Sequence, residues 1–310
     1  MYKTESGGES HMLNEVKWND RYNTNVDIID KAHQKLFSIV GKLIILNEDE
    51  TKQLHACKEG IKYFKSYTLK HFAEEEAYMQ SIHYGGYELH KTLHDDLRDK
   101  TIPALEKEME EQEYSKESVE HFLGICVGWL NVHIAVEDQA ITGRAVNKWI
   151  HQPSEDMLTS LKKASMEVWE NLFKLSVGIV SERYSGENFS SENILCYRLN
   201  YHNEAGERLQ VFLAYEERMV LHVLSSVIGK QIPKVDKTVI HAIKMISQQF
   251  MACVGKHFAQ KDAYRLDRND MLTFDQLLRT FDKEYPPYSL LFHTDGNGYM
   301  ALCIRHFDAA

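Results

Sequence analysis

The sequence predicts a multidomain chain, an all-α up-down four-helix bundle followed by an α+β domain. Three observations carry this. Up to about residue 150 the apolar residues recur at i, i+3/i+4 and i+7, the rhythm of helices that bury one face. The stretch "HQPSEDML" at 151–158 then sets a proline and a capping serine between two helical runs. Beyond it, alternating apolar and polar residues flank the turn sequences "NEAGE" and "DGNG". The expected division is a flexible arm over 1–14, the bundle over 15–150 and the α+β domain over 155–310.

The first helix is expected over about 28–46, with Ile29, His33, Leu36, Phe37, Val40, Leu43 and Ile44 on one stripe. The second, about 54–81, carries Cys57, Ile61, Phe64, Tyr67, His71, Glu75 and Tyr78 on one side, and the paired glycines of "HYGGYE" end it. The third, about 87–110, holds His90, His94 and Leu97, with a kink at Pro103. The fourth, about 115–149, opens on a capping serine in "SKES" and turns Phe122, Ile125, Cys126, Trp129, His133 and Val136 inward. The second half should open on a helix over about 155–182, joined to the bundle by a near-continuous helical connection through residues 140–180. A hairpin around "NEAGE", helices over about 216–228 and 235–259, and a closing hairpin around "DGNG" complete it.

Composition narrows the function. The chain has 310 residues, 43% hydrophobic and 26% charged, and a net charge of −10. That excess of acid disfavours nucleic acid as a partner, because phosphate binding wants a basic surface. No unbroken apolar run is long enough to suggest a membrane span, and the first dozen residues, "MYKTESGGESHM", lack an apolar signal core. Five scattered cysteines without a CxxC pair point to reduced thiols and a cytoplasmic location.

Sixteen histidines are the unusual count. His33 lies on the inward stripe of the first helix, His71 and Glu75 one turn apart on the second, His90 and His94 one turn apart on the third, and His133 with Asp138 on the fourth. A lone inward histidine is usually a hydrogen-bonded core residue. Five of them with two acids, on four successive core stripes, would each cost several kcal/mol to bury without partners. A metal centre removes that cost. His11, His55, His83, His121, His151 and the histidines beyond 155 share no stripe and read as surface or ordinary core. The donor set is nitrogen and oxygen only, which excludes thiolate sites, and seven donors are too many for one tetrahedral zinc. Two carboxylates can each bridge two ions, and five imidazoles then split three and two, leaving one ion a ligand short. Such an imidazole-rich pair suits iron, and favours reversible dioxygen binding over oxidation of a substrate.

The segments "WNDRYNTNVDIIDKAHQKLF", "HFAEEEAYM", "HYGGYELHKTLH" and "WLNVHIAVEDQ" resemble the bacterial hemerythrin family over roughly residues 15–147. The resemblance implies two iron ions joined by an oxo or hydroxo bridge, with dioxygen as ligand. His90, His94 and His133 would hold one iron, His33 and His71 the other, and Glu75 and Asp138 would bridge them. Trp129 and Leu130 would line the dioxygen pocket.

Residues about 155–308 resemble the CheC/CheX/FliY family of chemotaxis phosphatases, in its CheX-like branch, through "RLNYHNEAGERLQVFLAYEE", "MVLHVLSSVIG" and "VDKTVIHAIKMISQQFMACVGKHF". That resemblance implies signal transduction, a response regulator or other signalling protein as partner, and a homodimer through the C-terminal domain. The family's helix bears a glutamate, an asparagine three residues later and a glycine four further on. Anchored on Gly255, those places hold Gln248 and Met251. Methionine cannot orient an attacking water, so Gln248 and Gln249 are the candidates for any catalytic role and no phosphatase activity is expected. The reading that follows is a cytoplasmic dioxygen or redox sensor in which the bundle controls a signalling domain. The alternatives are a dioxygen-regulated phosphatase of a phosphorylated response regulator, and simple dioxygen storage or delivery.

Overall fold

The computed structural model describes residues 18, 20–48, 53–149, 151–190, 193–228, 230–258, 264–294 and 296–307. The expected arm over 1–14, with His11, lies outside the described residues.

Helices α1 (Asp27–Glu48) and α2 (Gln53–Ser81) form the first antiparallel pair, and every inward residue expected on α1 is buried. The third rod is α3 (Tyr87–Asp96), a π-helical turn over Leu97–Thr101, and α4 (Ile102–Glu111). Pro103 opens α4 rather than breaking the rod, because a residue in the first helical turn needs no amide donor. The fourth rod is α5 (Lys116–Val132), a second π turn over His133–Asp138, and the short α6 (Gln139–Ile141). Ser115 caps α5, its hydroxyl accepting from the Ser118 amide at 3.2 Å. α1 packs on α2 and α5, and α4 packs on α5, so the four rods close on one another. By length and composition the run Lys116–Ile141 qualifies as a membrane-crossing helix, although Asn131, His133, Glu137 and Asp138 interrupt its apolar residues. Its place as a core rod of the bundle accounts for that apolar character.

The fourth rod ends at Ile141, short of the expected 149, and residues 142–149 and 151–154 are not helical; Gly143 sits at φ +71°. The continuous helical connection expected through 140–180 is therefore absent. α7 (Glu155–Phe173) follows; Ser154 stands at its N-cap but makes no side-chain cap bond. α7 is shorter than expected, because Lys174 adopts a left-handed conformation (φ 56°) and ends it. The residues assigned to its last turns instead form strand β1 (Val177–Ser181).

β2 (Ile194–His202) and β3 (Arg208–Glu216) form the expected hairpin, followed by α8 (Glu217–Ile228) and α9 (Lys237–Phe258). β4 (Arg265–Leu272) and α10 (Phe274–Phe281) are additions to the sequence reading. β5 (Tyr288–Thr294) and β6 (Gly298–Phe307) close the chain. The six strands order β1-β5-β6-β3-β2-β4, and every pairing is antiparallel.

Both faces of the sheet are buried. On one, Tyr197, Leu199, Leu213, Met300 and Leu302 pack with α7, α8 and α9. On the other, Cys196, Ala214, Ala301 and Cys303 join one apolar cluster with Leu36, Phe122 and Trp129 of the bundle. At Gly128 of α5 an added Cβ would stand 2.8 Å from the Cβ of Glu187, so only glycine fits there without displacement. The seam also holds polar groups. His121 donates from Nε2 to the Phe189 carbonyl at 3.0 Å and faces Glu108 through Nδ1 at 3.0 Å, while the Tyr299 hydroxyl donates to the same carboxylate.

Burial raises the Glu187 carboxyl from its ordinary 4.5 to about 7, against hydrogen bonds from the Ser185 amide and hydroxyl. A pKa raised in the folded state gives stability that is fully present below about 4.5 and lost as pH rises through about 7. At about 1.4 kcal/mol per unit, the loss is about 3 kcal/mol. Glu187→Gln should flatten this decline, read as denaturant midpoints at pH 5 and pH 8. A decline as steep as the wild type's would refute the assignment.

Candidate metal centre

The structure brings all seven donors expected from the sequence into one buried cluster. His33 comes from α1, His71 and Glu75 from α2, His90 and His94 from α3, and His133 and Asp138 from the π turn after α5; each is at most 4% exposed. The i, i+4 pairs meet by ordinary helical geometry. Asp138 is five residues from His133, and an α-helix would turn it away. The π turn holds one more residue and returns it to the same face. Asp138 Oδ1 thus lies 3.0 Å from His133 Nε2 and 3.3 Å from His90 Nε2, while Oδ2 lies 3.1 Å from His33 Nε2.

Six of the donors fall into two groups that share Glu75, and Asp138 stands against both. One is Glu75, His90, His94 and His133; the other is His33, His71 and Glu75. Glu75 Oε2 stands 3.3 Å from His94, 3.6 Å from His90 and 3.7 Å from His71, each measured to Nε2. Within the groups, His94 and His133 bring their Nε2 atoms to 3.0 Å, as do His33 and His71.

These contacts fit coordination to cations better than hydrogen bonding. Both oxygens of Glu75, both of Asp138 and Nε2 of His90 are buried without a hydrogen-bond partner. The nitrogens approach the carboxylates closely but without hydrogen-bond geometry, as lone pairs do around a shared positive ion. Burial pushes His71 down to about 3 and His133 down to about 4, which keeps both imidazoles neutral with a lone pair to give. Burial also lowers His90, but Asp138 and Glu75 outweigh it and raise this histidine to about 10. Burial and Asp138 push Glu75 up, yet His71, His90 and His94 hold it below the usual carboxylate range. The pocket therefore favours positive charge between its two acids. The donors are all nitrogen and oxygen; Cys126, buried on the same helix, belongs to neither group.

Aromatic rings wall the cluster. Trp129 stacks on His133 with centroids 4.1 Å apart, and Phe72 stacks on His94 at 3.8 Å. Trp18 lies 6.3 Å from the His33 ring. Leu130, like Trp129, is buried in the bundle core. Helical spacing turns Glu76 away from the His71–Glu75 face, and its place beside His94 was missed. Its Oε1 faces His94 Nδ1 at 3.1 Å, so Nδ1 carries the proton and Nε2 points its lone pair inward. Phe72 was missed as well. Glu76 finds His94 only because α2 packs on α3, a contact that periodicity along one helix does not announce.

Gln248 and Gln249 lie on α9, far along the chain from these donors; Gln248 is half-buried and Gln249 exposed. Met251 is buried in the core between α9 and the sheet.

The profile of the hemerythrin HHE cation binding domain matches residues 24–145. Over 125 residues the chain is 31% identical to the bacteriohemerythrin of Clostridium acetobutylicum, a match covering 39% of this chain and 95% of that protein. It is 29% identical over 132 residues to hemerythrin subunit alpha of Lingula reevii, covering 41% of this chain and 92% of that one. Among solved structures, the chemotaxis protein CheX from Vibrio vulnificus aligns with 49% of this chain and 99% of its own, at 10% identity and a TM-score of 0.38.

Proposed function

The chain belongs to the hemerythrin family, and from that premise we propose that it binds dioxygen reversibly at a pair of iron ions and serves as a dioxygen or redox sensor. The observation that carries this is the convergence of seven buried donors, six of them in two groups that share Glu75, with Asp138 set against both groups. An iron pair, when bound, supplies the electrons and the open coordination position that reversible dioxygen binding needs. The chain supplies the rest. His90, His94 and His133 would hold one iron, and His33 and His71 the other. Glu75 and Asp138 face both groups and would bridge them. The side with two histidines is the one left a ligand short. Trp129, Leu130 and Phe72 keep water from the pocket, and Glu76 holds the His94 tautomer.

We take 15–150 as the metal-binding unit and 155–310 as the signalling unit, acting in the cytoplasm on a response regulator or another signalling protein. Homodimers would form through the second unit, where β4 ends the sheet among the described residues. Sensing is favoured over storage because the second half packs its sheet directly on the bundle core. Phosphatase action is the weaker reading, since Met251 is core and only Gln248 and Gln249 offer polar groups at the expected helix.

Metal analysis with visible spectra tests the central claim. The expected result is about two irons per chain and iron charge-transfer bands that differ between anaerobic and aerated samples. A protein that stays colourless and iron-free after anaerobic reconstitution would overturn it.

A further inference from the structure

α3 does two things at once. It carries His90 and His94, and two residues past His94 it reaches the sheet. Asp96, 5% exposed, accepts from the Ser181 hydroxyl at 2.6 Å through Oδ2 and from the Glu182 amide at 2.9 Å through Oδ1. One turn on, the Thr101 hydroxyl donates to the Val180 carbonyl at 2.7 Å. Lys100 pairs with Glu182, which also takes Lys162 of α7 at 2.6 Å. These contacts meet at the end of β1, where the pairing register with β5 shifts between Ile179 and Ser181. Val180 is the extra residue. The irregularity turns its carbonyl to Thr101, while its side chain joins the bundle core.

The chain connection cannot act as a rod, since residues 142–149 and 151–154 are not helical. The packed seam is the rigid path. Hydrogen bonds to a buried carboxylate are among the strong ones, so α3 cannot shift against β1 without breaking two of them. The π turn Leu97–Thr101 lies inside the clasp, and π turns concentrate at functional sites because they hold a helix in a less regular state.

We propose that Asp96 couples the metal centre to the sheet, so that occupancy of the His90–His94 helix and the packing of strand β1 control one another. This rests on the iron-binding reading above. Coupling between two sites is reciprocal and needs differential contacts in two states; the clasp would supply those contacts at the strand end where Asp96 of the metal-bearing helix meets Ser181 and Glu182.

Hydrogen exchange on the full chain, metal-free and iron-loaded, tests it, with Asp96→Asn and Ser181→Ala beside the wild type. In the wild type, loading should slow exchange of the Val177–Glu182 amides by at least about fivefold, and in the variants the difference should fall below about twofold. Iron content and visible spectrum should match the wild type in both variants. If Asp96→Asn folds poorly, Ser181→Ala, which removes one of the two bonds to Asp96, carries the same expectation. Iron bound with β1 unaffected, or variants that keep the full difference, would overturn the coupling alone. A wild type that takes up no iron would remove the iron-binding reading and the coupling with it.

Discussion

Replacing Glu75 by alanine should strip both irons together, whereas His71→Ala should spare the three-histidine side. Glu75 is common to both donor groups, and its Oε2 lies within 3.7 Å of His71, 3.6 Å of His90 and 3.3 Å of His94. Losing even a hydrogen-bond partner of a ligand costs about 10–100-fold in metal affinity, so losing a shared ligand should cost more than about 100-fold at each iron. The fold itself should survive. Glu75 is fully buried next to Asp138, and in the metal-free protein the two acids oppose each other. Removing one relieves that opposition. Iron per chain after reconstitution and desalting, together with the far-ultraviolet circular dichroism of the metal-free variant, reads both effects. A Glu75→Ala protein that retains wild-type iron would show that the two groups do not share this ligand.

Stripping the metal from the wild type should lower its unfolding temperature by about 6–8 °C. A ligand held at about 1,000 times its dissociation constant adds about 4 kcal/mol to the folded state. For a chain of this size unfolding as one unit, each kcal/mol moves the midpoint by about 1.5–2 °C. The loss should reach beyond the bundle, because Val180, Phe212 and Tyr299 of the second half share an apolar cluster with Leu36, Phe122 and Leu130 of the first. Calorimetry of loaded and chelated protein should therefore show a single transition that shifts as a whole. An unchanged midpoint after chelation would mean that the cluster does not store binding energy in the fold, and two separate transitions would mean that the seam is weaker than its burial implies.

The donors were legible to different degrees. His71 with Glu75, and His90 with His94, follow from four-residue spacing on one helix face. His133 with Asp138 is five residues apart, and the sequence does not mark the π turn that reconciles this spacing. The end of α7 was misplaced because Lys174, with no glycine to signal it, takes a left-handed conformation. β1 was then read as helix, its five residues being too few to show a period. β4 escaped notice because "RLDRND" is largely exposed on the sheet's edge and shows no apolar alternation. His121, read as surface or ordinary core, is a core residue hydrogen-bonded between Glu108 and the Phe189 carbonyl.

By itself the sequence determined the four rods, the two hairpins and, apart from Asp138, the donors that face inward, since these rest on periods of 3.6 and 2 residues within short stretches of chain. Only the tertiary structure decided that the sheet buries both of its faces, that its inner face lies on the bundle, that Glu76 orients His94, and that Asp96 clasps Ser181. Each of these joins side chains separated by at least 18 and up to 85 residues, or whole layers. Such partners are set by which surfaces find apolar area to bury together, and no local repeat in the chain encodes that choice.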